Sequence, residues 1–284
     1  MDSERQVIIN GLSVPTFLYG TAWKEETTQL CVKKALEAGF RGIDTANQRK
    51  HYYEAGVGAA LREAYEAGIL TRNDVFLQTK FTHLAGQDKR LPYDETANLH
   101  TQVMQSLASS FEHLNTDYLD SFVLHGPSTR RGLAEGDWEV WRAMEELHRG
   151  GKVEFLGISN VRIDQLEELC ERGAAKPSFV QNRCFANAGW DREIRRFCEE
   201  NGIGYQAFSL LTANTYILTR PRFVKLVSHY RCSPAQLIFA FALQSKMLPL
   251  TGTTSSAHMR EDLAAYAISL SPNDLLLLES IAQE

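Results

Sequence analysis

Eight short apolar runs, each followed by a helix-length segment, form the most restrictive pattern in this sequence. They end at Gly20, Asp44, Lys80, near His125, near Ser159, at Gln181, at Phe208 and near Leu250. The intervals between these ends average roughly 33 residues, the length of one strand–helix unit. Helices are expected at about 25–38, 53–67, 98–114, 138–149, 162–172 and 191–200, in segments over 221–244, from about 257, and after Ser271-Pro272, a cap with proline at the first helical position. Ahead of the first run, QVIINGLSVPTF sets Asn10-Gly11 between two apolar stretches, a two-residue hairpin signal.

Eight such units in 284 residues predict a (β/α)8 TIM barrel with an N-terminal β-hairpin closing its bottom, a single domain over 1–284. The runs are apolar on successive residues, as parallel strands buried on both faces must be. A doubly wound sheet is the rival, but its first turn would carry a glycine-rich phosphate loop. Here that turn reads YGTAWKEE. The hydrophobic share of 44% supports a large core, and a net charge of -5 gives no electrostatic footprint for nucleic acid. Five cysteines, at 31, 170, 184, 198 and 232, show no CxxC spacing and read as reduced thiols of a cytoplasmic protein. MDSERQVIIN lacks a signal-peptide pattern, and no window approaches the ~18 apolar residues of a membrane span.

In a barrel, chemistry gathers at the carboxyl ends of the strands. Three neighbouring ends offer Asp44, Lys80 and His125 to one mouth. Taken singly, each has an ordinary reading: a loop cap, a snorkelling lysine, a satisfied core histidine. Together they suit carbonyl chemistry. An Asp44–Lys80 ion pair would hold an ammonium beside a phenol and lower its pKa, so that a tyrosine could give up and regain a proton. The histidine would donate a hydrogen bond to a carbonyl oxygen. The hydride would have to come from a cofactor.

With those residues in place, the sequence resembles the aldo-keto reductase family over nearly its whole length. The matching segments run in order: GTAWK at 20–24, GFRGIDTA at 39–46, EAGVG at 54–58, TK at 79–80, LHGP at 124–127, GISN at 157–160, VQ at 180–181, AFSLL at 207–211 and EDL at 261–263. The resemblance implies a catalytic tetrad of Asp44, a tyrosine, Lys80 and His125. It implies cofactor contacts from Thr21, Asp44, Ser159, Asn160, Gln181, Phe208 (stacking on the nicotinamide), Ser209, Leu211, Thr251, Gly252, Thr253, His258, Glu261 and Asp262. Trp23, His51 and Gly126 fall at the substrate mouth. The implied cofactor is NADP(H), with NAD(H) as the alternative, since a lysine and an arginine common in NADP-preferring members are replaced here by Leu250 and His258.

The tyrosine is displaced from the family position, which His51 occupies, and the loop from Asp44 to Glu54 is two residues longer than usual. Tyr52 and Tyr53 both remain candidates. Tyr53, Val57 and Leu61 share one helical stripe and would pack on the barrel, which favours Tyr52 as the proton donor. Gly126, where a tryptophan is common, and a short C-terminal segment predict an open, wide mouth and broad tolerance for aldehydes or ketones, bulky ones included. A monomer or weak oligomer is expected, with no nucleic-acid or membrane partner and no metal. Two other functions stay open: a non-catalytic nucleotide-binding barrel acting through a protein partner, and a metal-dependent hydrolase using Asp44, His83 and His125.

Overall fold

The computed structural model describes residues 5–283; the two ends of the expected domain, residues 1–4 and 284, lie outside the described residues. Strands β1 (Gln6–Ile9) and β2 (Leu12–Pro15) form the expected antiparallel hairpin, turning at Asn10-Gly11. Eight parallel strands then close a barrel: β3 (Leu18–Gly20), β4 (Gly42–Asp44), β5 (Phe76–Phe81), β6 (Leu119–Leu124), β7 (Val153–Ser159), β8 (Phe179–Arg183), β9 (Gly204–Phe208) and β10 (Met247–Thr251). They pair in chain order, and β10 closes on β3. The fold is a (β/α)8 TIM barrel.

Around it run α1 (Thr28–Ala38), α2 (Glu54–Glu66), α3 (Leu99–Leu114), α4 (Glu135–Arg149), α5 (Ile163–Arg172), α6 (Arg192–Asn201), α7 (Pro221–Tyr230), α8 (Pro234–Gln244), α9 (Ser256–Leu263) and α10 (Pro272–Ser280). Their starts follow local chemistry. Helix α4 begins three residues before the expected position because Asp137 accepts the Ala134 N–H at 2.9 Å, capping the first turn. The segment 221–244 splits in two at Arg231, which turns left-handed (φ 50°) before the Ser233 cap and Pro234. No helix among the described residues is long and apolar enough to cross a membrane.

The barrel bottom is apolar. Ile9 and Val14 of the hairpin join Leu18, Phe76, Phe155, Phe179, Leu248 and Leu250 in one buried cluster at the amino ends of the strands. Phe179 meets Phe155 and Phe76 edge-on, with centroids 5.3 and 5.7 Å apart. Asn10 Nδ2 donates to Ser178 Oγ at 3.0 Å, tying the hairpin to the floor. On the outside, α2 presses against α3 through Gly58: a Cβ there would lie 2.0 Å from the His113 carbonyl oxygen. Only glycine fits that crossing.

Candidate active site

Halfway up the barrel the apolar interior gives way to a polar layer. Asp44, Gln78, Gln181 and Gln206 are linked through the strand register, Asp44 opposite Gln78 and Gln181 opposite Gln206. Asp44 Oδ1 accepts from Lys80 Nζ at 2.6 Å, Gln78 Nε2 at 2.7 Å and Gln181 Nε2 at 3.0 Å. Gln206 Oε1 takes the second bonds of Gln78 and Gln181, each at 2.8 Å. Lys80 is fully buried and also donates to the Thr45 carbonyl at 2.7 Å. Burial pulls the Lys80 pKa below that of a free lysine, against the opposing pull of Asp44. Sequence reasoning missed Gln78 and Gln206. Their signal was a lone amide in each apolar strand, two residues before Lys80 and two before Phe208, on the inward face.

The 45–53 loop sets the two tyrosines in different surroundings. It is anchored by Asn47, whose Nδ2 donates to Ser106 O at 2.9 Å, and tightens where the Tyr52 N–H reaches Gln48 O at 3.0 Å. Tyr52 then faces the mouth. Its ring centroid lies 5.3 Å from Lys80 Nζ and 5.9 Å from the His125 ring, which it meets edge-on. Tyr53 is the N-cap residue of α2, and its ring lies 4.4 Å from the Arg49 guanidinium. Tyr53 is only half-buried, whereas Val57 and Leu61 are sealed in the core, so the expected packing stripe starts one turn later than Tyr53.

One electrostatic expectation is reversed. Burial, followed by the nearby Asp44 carboxylate, raises the Tyr52 pKa rather than lowering it. Burial disfavours the phenolate and the Asp44 carboxylate repels it, so the phenol stays protonated. His125 moves the other way. Burial, then Lys80 and His51, push its pKa down to about 3, so its imidazole is neutral. It occupies the first position after β6, with its N–H on the Phe81 carbonyl at 2.9 Å.

A cavity of about 750 Å³ opens from this point along the carboxyl ends of the strands. Its wall includes Trp23, Asp44, Tyr52, Gln181, Phe208, Ser209 and Leu211, and, toward α9, Thr251, Gly252, Thr253, His258, Glu261 and Asp262. Thr21 lies beneath the wall, fully buried, its hydroxyl on the Asp44 carbonyl at 3.0 Å. Ser159 Oγ donates to Gln181 O at 2.6 Å, and Asn160 Nδ2 donates to His125 O at 2.8 Å, bracing the mouth from the β7 side. Gly126 sits against both of these residues. His51 stacks on the exposed Trp23 with centroids 3.9 Å apart, forming a lip.

The far end of the groove is polar. Ser255 caps α9, and Thr251 Oγ1 donates to Asp262 at 2.7 Å. Burial pushes the Asp262 pKa up to about 6. Two cations along the groove went unassigned in the sequence. Lys24 is buried, donates to Gly252 O at 2.8 Å, and has no carboxylate partner among the described residues. Arg183 lies 5.8 Å from the Phe208 ring centroid. The lysine directly after GTAW was the available signal for Lys24. His83 bonds Asp137 at 3.1 Å, away from Asp44, and no group of three metal-ligating side chains converges among the described residues.

A polar layer under a mouth tyrosine, at the carboxyl ends of eight parallel strands, is the layout of a barrel enzyme. The profile of the Aldo/keto reductase family matches residues 8–283, and the chain belongs to that family. It is 30% identical to an uncharacterised oxidoreductase, YtbE, of Bacillus subtilis, over 96% of this chain and 90% of that protein. It is 26% identical to a glyoxal reductase of the same organism, over 97% and 91%. Among solved structures, an aldo/keto reductase from Brucella melitensis superposes with a TM-score of 0.84 at 24% identity, covering 99% of both chains. A Bombyx mori aldo-keto reductase in complex with NADP gives 0.81 at 20% identity, covering 97% of this chain and 92% of that one.

Proposed function

We propose that this protein reduces aldehydes or ketones to alcohols with NADPH, and that Tyr52 is the proton donor. The observation that carries the reading is the placement of Tyr52 at the mouth, between Lys80 and His125, with Tyr53 held aside at the start of α2.

The groove suits a dinucleotide phosphate. Phe208 offers a ring face near the amide of Gln181, and Lys24 is a buried cation awaiting an anion. The amino end of α9, with His258 in its first turn, suits a phosphate by the positive end of its helix dipole. Ser159 and Asn160 brace the carboxamide end. Ser209 and Leu211 flank the pyrophosphate path, and Thr251 to Thr253, Glu261 and Asp262 hold the adenosine end. NADH is the weaker candidate, because the buried Lys24 favours the more highly charged cofactor.

Bound NADPH supplies the hydride to the carbonyl carbon. The chain does the rest. His125, neutral, donates a hydrogen bond to the carbonyl oxygen and fixes its direction. Tyr52 passes its phenolic proton to that oxygen as negative charge builds on it. The phenolate left behind is stabilised by the Lys80 ammonium, which Asp44 holds in place. The proton that restores Tyr52 comes from solvent through the mouth. The open lip of Trp23 and His51, with Gly126 opposite, admits substrates of varied shape, glyoxal-like dicarbonyls among them. The five free cysteines suit a reducing compartment, the cytoplasm.

The test is NADPH and NADH oxidation by purified protein across a panel of small, aromatic and dicarbonyl substrates. Several turned over, with NADPH preferred, supports the reading. A folded protein that binds NADPH and reduces none of them overturns it.

A further inference from the structure

We propose that Thr82 is a positioning residue for His125: its hydroxyl donates to the ring and fixes the tautomer in which the mouth-facing nitrogen carries the hydrogen. This rests on the reading of His125 as donor to the carbonyl oxygen.

Thr82 lies two residues beyond Lys80, just past the end of β5, and is buried. Its Oγ1 lies 2.7 Å from His125 Nδ1. A neutral imidazole has one N–H and one bare nitrogen; a hydroxyl can meet either, but the buried Thr82 hydroxyl bonds no other side chain or carbonyl among the described residues, so donation to Nδ1 is what satisfies its hydrogen. Tyr52 approaches the same ring edge-on from the mouth. If Nδ1 carried the hydrogen, Nε2 would be a bare acceptor facing the substrate oxygen, and two lone pairs would oppose each other. With Thr82 donating to Nδ1, Nε2–H is the donor that carbonyl reduction needs.

The rotamer of Thr82 is enforced from three directions. Its carbonyl accepts the Tyr93 hydroxyl at 2.7 Å and Gln87 Nε2 at 3.4 Å, fixing the backbone. Its methyl group fills the space over Gly86, where a Cβ would lie 2.7 Å from Thr82 Cγ2. Gly86 is itself tied to the tyrosine loop, since Gln48 Nε2 donates to its carbonyl at 2.6 Å. With the methyl seated on Gly86, the hydroxyl is left toward the histidine. The loop that presents Tyr52 and the loop that orients His125 are therefore joined through Gln48, Gly86 and Thr82.

The experiment uses full-length protein labelled with 15N-histidine, with the His125 signals assigned by comparison with His125→Gln. The wild type is expected to show a bare Nδ1 and a protonated Nε2. Thr82→Val keeps the shape and removes the hydroxyl; it should give a mixture of tautomers or a shift to Nδ1–H. It should also lower kcat about tenfold or more, with the KM for NADPH unchanged, the size of losing one oriented donor. Thr82→Ser should restore both the spectrum and the rate. An Nδ1–H wild type, or a Thr82→Val spectrum identical to wild type, overturns the proposal. The tautomer is read without turnover, so this outcome is separate from failure of the reductase reading, which would appear as a wild type inactive on every carbonyl.

Discussion

The Lys80 ammonium lies 5.3 Å from the centroid of the Tyr52 ring, with its charge held from below by Asp44. That relationship is what supports the proposal of Tyr52 as the acid. Tyr52→Phe should lower carbonyl reduction by a factor of about 10² to 10⁴, the usual worth of a positioned general acid. NADPH binding, followed by fluorescence quenching, should persist. Tyr53→Phe should leave the rate within about twofold, since the proposed chemistry does not use its hydroxyl. The opposite pattern would move the proton donor to Tyr53.

The buried pair makes an asymmetric prediction about stability. Asp44→Asn leaves a buried ammonium without its counter-charge and should cost about 3–5 kcal/mol. Lys80→Met leaves Asp44 still bonded to Gln78 and Gln181, so it should cost less. Urea unfolding of both variants, monitored by tryptophan fluorescence, compares them directly. Equal losses would mean that the two glutamines do not support the carboxylate.

A third prediction concerns pH. His125 in the folded protein takes up a proton only near pH 3, against 6.5 for a free histidine. The rate should therefore show no acid limb from this group between about pH 5 and 7. The unfolded chain does bind the proton across the window from 6.5 down to about 3, so His125 reduces stability as pH falls through it. Measuring kcat and the urea midpoint at pH 5 and pH 7 tests both statements. A rate that halves near pH 6.5 would show a histidine that titrates freely.

Lys24 should matter for the cofactor alone. Lys24→Met removes a buried cation from the groove and should weaken NADPH binding by about 10- to 100-fold, the range of one charge-assisted hydrogen bond. At saturating NADPH, kcat should be close to wild type. A variant with unchanged affinity would place the phosphates elsewhere.

Gly58→Ala probes the scaffold. The added Cβ would meet the backbone of α3, which cannot give way as a side chain can, and should cost about 1–3 kcal/mol. Ala60, on the same helix, provides the control: Ala60→Gly removes only a methyl group and costs helix propensity of about 1 kcal/mol plus its packing. Thermal midpoints of the two variants decide whether the α2–α3 crossing is as tight as the geometry requires.

The barrel was legible because each strand–helix unit repeats its own punctuation, and the hairpin because Asn10-Gly11 permits little else. Asp44, Lys80 and His125 stood out as polar ends on apolar runs. Gln78 and Gln206 did not, because an amide inside a strand gains meaning only once the register sets it beside Asp44. The same limit hid the raised pKa of Tyr52. A sequence shows which charges are present, but not how deeply the phenol is buried or how near the Asp44 carboxylate it lies. Thr82 was invisible for a related reason: its partner lies 43 residues away, across the seam between β5 and β6.

The apolar floor of hairpin residues and three phenylalanines makes the barrel a vessel with one opening. Water cannot reach Lys80 or Tyr52 from beneath, so whatever fills the mouth also corks the supply of protons. In the proposed reaction, restoring the phenol would then wait until the alcohol has moved aside. Product departure and recharging of the proposed acid would share one doorway, and the order of events in each cycle would be set by the architecture at the opposite end of the barrel from the chemistry.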